Sequence, residues 1–246
     1  MKHVRVLVIL GSGMLEFYKE NAHNKINVKT RFGSAVFYGP DAKTGAYMLL
    51  RHGNRHSIPP HKVNYRANIM SAKKLGITHI IATSAVGSMK YGLKVGDFVV
   101  LDQFIDFTKS RPSTFFEKHG NVVHVDVSSP YSKSVCNALI KSLQKLRKVN
   151  YSPKGTYVCS EGPRYETAAE IKAYRKLGGD VVGMTSFPEV VLARELGIEY
   201  GTIAVVTNLA AGMQRNLNHS DVVIQMNKSS KIMKSIIDGA IANIIG

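Results

Sequence analysis

Residues 155–208 read GTYVCSEGPRYETAAEIKAYRKLGGDVVGMTSFPEVVLARELGIEYGTIAVVTN, and their alternation decides the fold class. Gly155–Cys159 is an apolar run of strand length, and Glu166–Leu177 has helical spacing up to Gly178-Gly179. Val181–Met184 is again strand-like, Pro188–Leu196 is helical up to Gly197, and Tyr200–Thr207 is a third strand-like run. Short apolar runs alternating with helices predict an α/β domain, because the connecting helices cover the faces of the sheet that the runs build.

The pattern continues in both directions. Upstream, Val4–Leu10 reads as a buried first strand ending at Gly11-Ser12-Gly13. Arg31–Tyr38, Tyr47–Arg51, Ile77–Ser84 (broken by Gly87) and Asp97–Asp102 read as further strands. Lys62–Leu75 reads as a helix after Pro59-Pro60, and Ser129-Pro130 as an N-cap with Pro at the first turn of a helix reaching about Val149. Downstream, a last helix from Asn218 carries Val222, Val223, Met226, Met233, Ile236, Ile237, Ile241 and Ile244 at mostly three- and four-residue steps. No repeat or linker interrupts the 246 residues, which suit a single domain over 1–246.

The chain carries 33 Lys+Arg against 17 Asp+Glu, a formal net charge of +16, which favours anionic ligands. The basic residues are dispersed, as in Lys141, Lys145, Arg147 and Lys148, with no aromatic-laced basic motif. That spread argues for a small anion and against nucleic acid. The first apolar run is too short to span a membrane and lacks the features of a leader, and two cysteines, Cys136 and Cys159, make no disulfide framework. The expectation is a cytoplasmic protein without membrane partners. Neither the histidines nor the cysteines have metal-site spacing, so neither metal nor cofactor is expected.

Ligands of open α/β sheets sit beyond the carboxyl ends of the strands. Four such ends carry small polar or charged residues: Ser12, Arg51-His52, Ser84 and Thr207-Asn208. In Gly11-Ser12-Gly13, glycines let backbone N–H groups approach an anion. The third glycine position of a dinucleotide fingerprint is Glu16, which leaves a small phosphate or a plain tight turn. Arg51 offers a bidentate fork for phosphate, and His52 a further donor, unless the run is a basic surface turn. Ser84-Ala85-Val86-Gly87-Ser88 offers amides beside small side chains, or is a plain strand-to-loop turn. In Ser160–Thr167, Glu166 either caps the following helix or accepts hydrogen bonds from a ligand, and Tyr165 suits packing on a sugar or base. Asn208 has the donor and acceptor that fit the N7/O6 edge of a 6-oxopurine, unless it is a turn residue.

Long blocks then carry a resemblance: RHGNRHSIPPHKVNYRANI (Arg51–Ile69), GDFVVLDQFIDFT (Gly96–Thr108), EGPRYETAAEI (Glu161–Ile171) and VGMTSFPEVVLARELGI (Val182–Ile198). In this order they resemble the trimeric nucleoside phosphorylase family, which includes purine nucleoside and methylthioadenosine phosphorylases. The resemblance implies a mixed twisted sheet with barrel-like closure, flanked by helices, in a homotrimer or a dimer of trimers. It implies phosphorolysis of a nucleoside with inorganic phosphate as co-substrate. Ser12, Arg51, His52, Ser84, Thr185 and the Ala85 backbone would hold phosphate. Tyr165 and Met184 would pack on the ribose, and Glu166 and Asn208 would hold the purine and carry catalysis. His219 and His56 would lie near the 5′ end, and His124 would be lent by a neighbouring subunit.

The branches are mixed. RHGNRH and DQFIDFT resemble the methylthioadenosine branch, but that branch has a small hydroxyl residue at Glu166 and Asp at Asn208. An ionised Glu166 accepts from N1–H of a 6-oxopurine, whereas adenine lacks that proton. A buried mismatch of that kind costs about 1–3 kcal/mol, enough for tenfold discrimination. The expectation is therefore cleavage of inosine or guanosine, or of 5′-methylthioinosine. The alternatives are a methylthioadenosine phosphorylase, a hydrolytic nucleosidase and a non-catalytic anion or nucleic-acid binder.

Overall fold

The computed structural model describes residues 4–14, 24–214 and 218–246, without the side chains of Arg55 and His219. β1 (Val6–Leu10) is buried throughout. β2 (Lys25–Thr30) and β3 (Gly33–Tyr38) form an antiparallel hairpin, and β3 leads to β4 (Tyr47–Leu50). α1 (Tyr65–Lys74) precedes the long β5 (His79–Ser88), which β6 (Phe98–Val100) and β7 (Gln103–Phe107) follow. α2 (Lys133–Gln144) leads to β8 (Tyr151–Ser152) and β9 (Thr156–Ser160). α3 (Ala168–Lys176), β10 (Val181–Gly183), α4 (Ser186–Glu195), β11 (Glu199–Leu209) and α5 (His219–Ile245) complete the order.

Among the described residues, eleven strands join in one mixed sheet. Its two faces feed two cores, as the two-residue period of a strand requires. Leu7 and Ile9 of β1, with Ala204 and Val206 of β11, pack under α1 and α4. Val6, Val8 and Leu10, with Ile203 and Val205, pack under α2 and α5. Strands covered on both faces read as unbroken apolar runs, which is why β1 and β11 are legible in the sequence.

The sheet closes on itself. β5 runs parallel to β11 and meets β10 antiparallel at Gly87 and Ser88. β10 lies parallel to β9, and β9 to β7. β7 continues the chain of β6 after Leu101-Asp102, and β6 pairs back onto β11. That ring is the barrel-like closure expected from the sequence.

One irregularity in the ring opens a site. β5 pairs with β1 only as far as Ala82, and β10 takes over at Gly87. Between them the same edge of β5 has no strand partner among the described residues, so Thr83, Ser84, Ala85 and Val86 present backbone there. Opposite, a bulge in β11 shifts the register between Val206 and Asn208. Bulges re-aim side chains, and this one turns Thr207 and Asn208 out of simple alternation. Gly87 faces the bulge; a Cβ there would lie 3.0 Å from Asn208 Nδ2.

Several sequence boundaries are corrected. β5 does not stop at Ser84 and β11 does not stop at Thr207, because the two strands pair with each other through Ser88 and Leu209. Ser84 and Asn208 thus lie within strands. α2 starts after Ser132, not at Ser129-Pro130, because the Ser132 backbone and hydroxyl both bond to Tyr200 in β11. It ends at Gln144, short of Val149. α3 starts after Thr167, whose side chain and that of Glu170 form a reciprocal capping box. Glu166 is left outside the helix and does not cap it.

Candidate functional site

A cavity of about 370 Å³ opens where β1, β4, β9 and β10 end beside the unpaired edge of β5. Gly11, Ser12, Arg51, His52, His56, Ser84, Ala85 and Thr185 line one end; Tyr165, Glu166, Met184 and Asn208 line the rest with Val182, Gly183 and Ala210. The structure thus brings together residues drawn from Gly11 to Ala210, nearly the whole length of the chain.

 

All of the described side chains expected to hold phosphate, sugar or base line this one cavity, except that of His124. His124 is exposed on the irregular segment after β7 and does not line the cavity. His219 opens α5, and its side chain lies outside the described residues.

The Arg51 end is held by close backbone joints. Arg51 N donates to Leu10 O at 3.0 Å, and Gly11 N to Thr83 Oγ1 at 2.8 Å. The Arg51 side chain is only 2% exposed. Its Nε donates to Glu189 Oε2 at 2.8 Å, its Nη2 to Glu189 Oε1 at 2.6 Å, and its Nη1 to Thr83 O at 2.8 Å. Burial alone would lower the guanidinium pKa; the charge and hydrogen bonds of Glu189 outweigh it and raise it above the ordinary value. Tyr200 Oη donates to Glu189 Oε1 as well, at 2.7 Å.

His52 lies beside this pair and stacks on His56, with ring centroids 4.3 Å apart. Its Nδ1 is 2.9 Å from Ile58 O, and a carbonyl only accepts, so Nδ1 carries the proton. Burial, then the Arg51 charge, lowers its pKa to about 3, so the ring is neutral at pH 7. Ser12 Oγ and His56 Nδ1 lie 3.4 Å apart. Thr185 N donates to Tyr157 Oη at 3.1 Å.

At the other end, Ser160 Oγ donates to Glu166 Oε1 at 2.5 Å. Burial raises the Glu166 pKa, and the Ser160 bond opposes that shift. Thr207 Oγ1 is 2.9 Å from Asn208 Oδ1, and Asn208 Nδ2 donates to Leu209 O at 2.9 Å. These contacts orient the amide and leave one N–H of Nδ2 for a ligand. Tyr165 and Met184 also line the cavity, and a side chain at Gly162 would collide with Met184 Sδ.

A family profile for the phosphorylase superfamily matches residues 5–242. The chain belongs to the phosphorylase superfamily. It is 51% identical over 245 residues to the 6-oxopurine nucleoside phosphorylase of Pyrococcus furiosus, covering 96% of this chain and 92% of that one. It is 45% identical over 233 residues to the probable S-methyl-5′-thioinosine phosphorylase of Methanocaldococcus jannaschii, covering 94% and 90%. Among solved structures, the methylthioadenosine phosphorylase of Schistosoma mansoni in complex with adenine superposes with a TM-score of 0.90 at 32% identity, covering 97% of this chain and 91% of that one. The α/β nucleoside phosphorylase fold expected from the sequence therefore stands.

Two details of the phosphorylase cavity differ from the sequence reading. The Arg51 fork is engaged by Glu189, so only one N–H each on Nη1 and Nη2 remains for a ligand. His52 in its neutral form offers an acceptor at Nε2, not the expected donor.

Two buried charges were missed. Glu189 is 0% exposed, and the signal was a carboxylate inside the apolar run FPEVVLA, which needs a cationic partner. Arg111 donates to Met184 O (2.7 Å), Phe187 O (2.9 Å) and Glu161 O (2.6 Å), tying the loop after β9 to the loop after β10. Nothing in its local sequence distinguishes it from the surface arginines.

Proposed function

We propose that this phosphorylase cleaves 6-oxopurine nucleosides with inorganic phosphate, releasing the free purine and a ribose 1-phosphate. The observation that carries this reading is Glu166: a buried carboxylate that lines the cavity, lies outside any cap, and has its Oε1 fixed by Ser160. The names of the Pyrococcus and Methanocaldococcus relatives agree with it.

The chemistry follows from the two ends. Phosphate sits against the remaining Arg51 donors, the Ser12, Ser84 and Thr185 hydroxyls and the backbone at Ala85. Its oxygen attacks C1′ as the glycosidic bond breaks, and the bond electrons pass into the purine. The transition state places positive charge on the sugar and negative charge on the base. Catalysis is then positioning and charge stabilisation, with no covalent enzyme intermediate. The free N–H of Asn208 donates to purine N7 as the base becomes anionic. Glu166 accepts from N1–H, and Tyr165 and Met184 pack on the ribose.

The neutral His52 accepts the remaining O–H of hydrogen phosphate. His56 faces the 5′ end, with His219 from the start of α5. Pro59, Pro60 and Val222 also line the cavity and give apolar surface, which supports a second reading with a 5′-methylthio group. We assign the exposed His124 to the cavity of a neighbouring subunit in a homotrimer; mass measurement in solution tests the assembly. Among the described residues no helix is long and apolar enough to cross a membrane.

Initial rates on inosine, guanosine, adenosine, methylthioinosine and methylthioadenosine, each with saturating phosphate, test the substrate assignment. The expected order places the 6-oxopurines at least tenfold above their 6-amino counterparts. A preference for methylthioadenosine would replace the reading with the adenine-specific alternative.

A further inference from the structure

The proposed base reader Glu166 is 9% exposed and sits in surroundings that oppose its ionised form. The charged groups that act on it are Arg164 and Glu170, already paired with each other at 2.8 and 2.7 Å, and the titratable phenols of Tyr165 and Tyr174 also lie within its field. The influences of Arg164 and Glu170 on Glu166 are opposite in sign. No cation is bonded to the Glu166 carboxylate among the described residues. Its side-chain partner is the hydroxyl of Ser160, 2.5 Å from Oε1.

Ser160 is well placed to be rigid. It is the last residue of β9, it is 7% exposed, and Arg111 Nη2 holds its carbonyl at 3.3 Å. Its Oγ lies 3.4 Å from Gly183 O, but a carboxylate is the stronger acceptor and the closer one. The hydroxyl proton therefore points at Glu166. The same bond, with the residue's own backbone N–H, orients the carboxylate, and Oε2 has no side-chain partner among the described residues.

We propose that Ser160 is a specificity-positioning residue: its hydroxyl keeps Glu166 ionised and aimed, and thereby maintains the choice of a 6-oxopurine over a 6-aminopurine. This rests on the reading of Glu166 as the acceptor for N1–H. An ionised Glu166 accepts from N1–H of hypoxanthine or guanine. A protonated Glu166 instead donates to N1 of adenine. Whatever favours the ionised form favours the 6-oxopurine, and Ser160 does so because its hydroxyl donates more strongly to a carboxylate than to a neutral carboxyl group.

The test compares kcat/KM for inosine and adenosine across pH 5–8 at saturating phosphate in wild type, Ser160→Ala, Ser160→Cys and Ser160→Thr. In Ser160→Ala the acid limb for inosine moves up by about one pH unit. Its inosine-to-adenosine preference below that limb narrows about tenfold. Ser160→Thr keeps the hydroxyl and restores both; Ser160→Cys, a weak donor, falls between.

Phosphate ionises identically in every assay, so the difference between variants reads the protein. A purely structural role predicts a lower Tm with the pH profile and preference unmoved, and that result in Ser160→Ala overturns the proposal. Should Ser160→Ala not fold, an unmoved profile in Ser160→Cys overturns it equally. Glu166→Gln separates the two levels. If it collapses the preference while Ser160→Ala does not, only the role of Ser160 fails. If Glu166→Gln leaves the preference intact, the base-reading assignment itself fails.

Discussion

The two ends of the cavity solve the problem of buried polarity differently. At Arg51 a full positive charge is buried and answered by a full negative charge, Glu189, through two hydrogen bonds. At Glu166 and Asn208 the polar side chains are each oriented by a neutral hydroxyl, from Ser160 and Thr207. A buried ion pair fixes geometry strongly, but removing one partner leaves an uncompensated charge. A hydroxyl fixes less and costs less to lose, so that end can be retuned. The difference assigns rigidity to the end proposed for phosphate, common to every substrate, and adaptability to the end proposed for the base.

The largest expected effect comes from breaking the ion pair. Arg51→Met strands Glu189 and should lower stability by about 3–5 kcal/mol in urea unfolding, with phosphate-dependent turnover lost. Arg51→Met/Glu189→Leu should recover most of that stability and none of the turnover. If the double variant is as unstable as the single one, the pair is not what strains the single variant.

Asn208→Asp comes next. It replaces the N7 donor with a carboxylate and should shift preference towards 6-aminopurines by about tenfold, read as the inosine-to-adenosine ratio of kcat/KM. Thr207→Val removes the hydroxyl that orients the amide. It should cost about 1 kcal/mol of transition-state stabilisation, a several-fold fall in kcat for all purines alike. An unchanged rate would show that Leu209 O and Gly87 suffice to hold the amide.

The smallest effect separates helix capping from base reading. Thr167→Ala removes the cap of α3 and should cost about 1 kcal/mol of stability while leaving kcat/KM for inosine unchanged. A changed base preference would mean that the cap, and not Ser160, positions Glu166.

Most of the frame was legible because buried strands leave an unmistakable apolar trace. β1 and β11 read directly, and α5 announced itself by its three- and four-residue steps. β2 and β7 did not: KINVKT and QFIDF are half-exposed, and their mixed composition resembles loop. Part of the cavity was legible at strand ends, as Ser12, Arg51-His52, Ser84 and Thr207-Asn208, while Thr185 and Met184 followed only from the family resemblance. The partners of these residues were not legible. That Arg51 faces Glu189, 138 residues away, depends on α4 packing under the sheet. The placement of Ser84 and Asn208 in the cavity depends on a fork in β5 and a bulge in β11 that no local signal encodes. The capping box at Thr167–Glu170 was present as T-x-x-E and fixes the one boundary that decides the standing of Glu166.

The measurement that bears most directly on the central claim is inosine cleavage by the purified protein with and without phosphate. The account predicts hypoxanthine and ribose 1-phosphate in equal amounts, with the rate rising to saturation in phosphate and near zero without it. An undiminished rate in phosphate-free buffer, with free ribose as the sugar product, would contradict it.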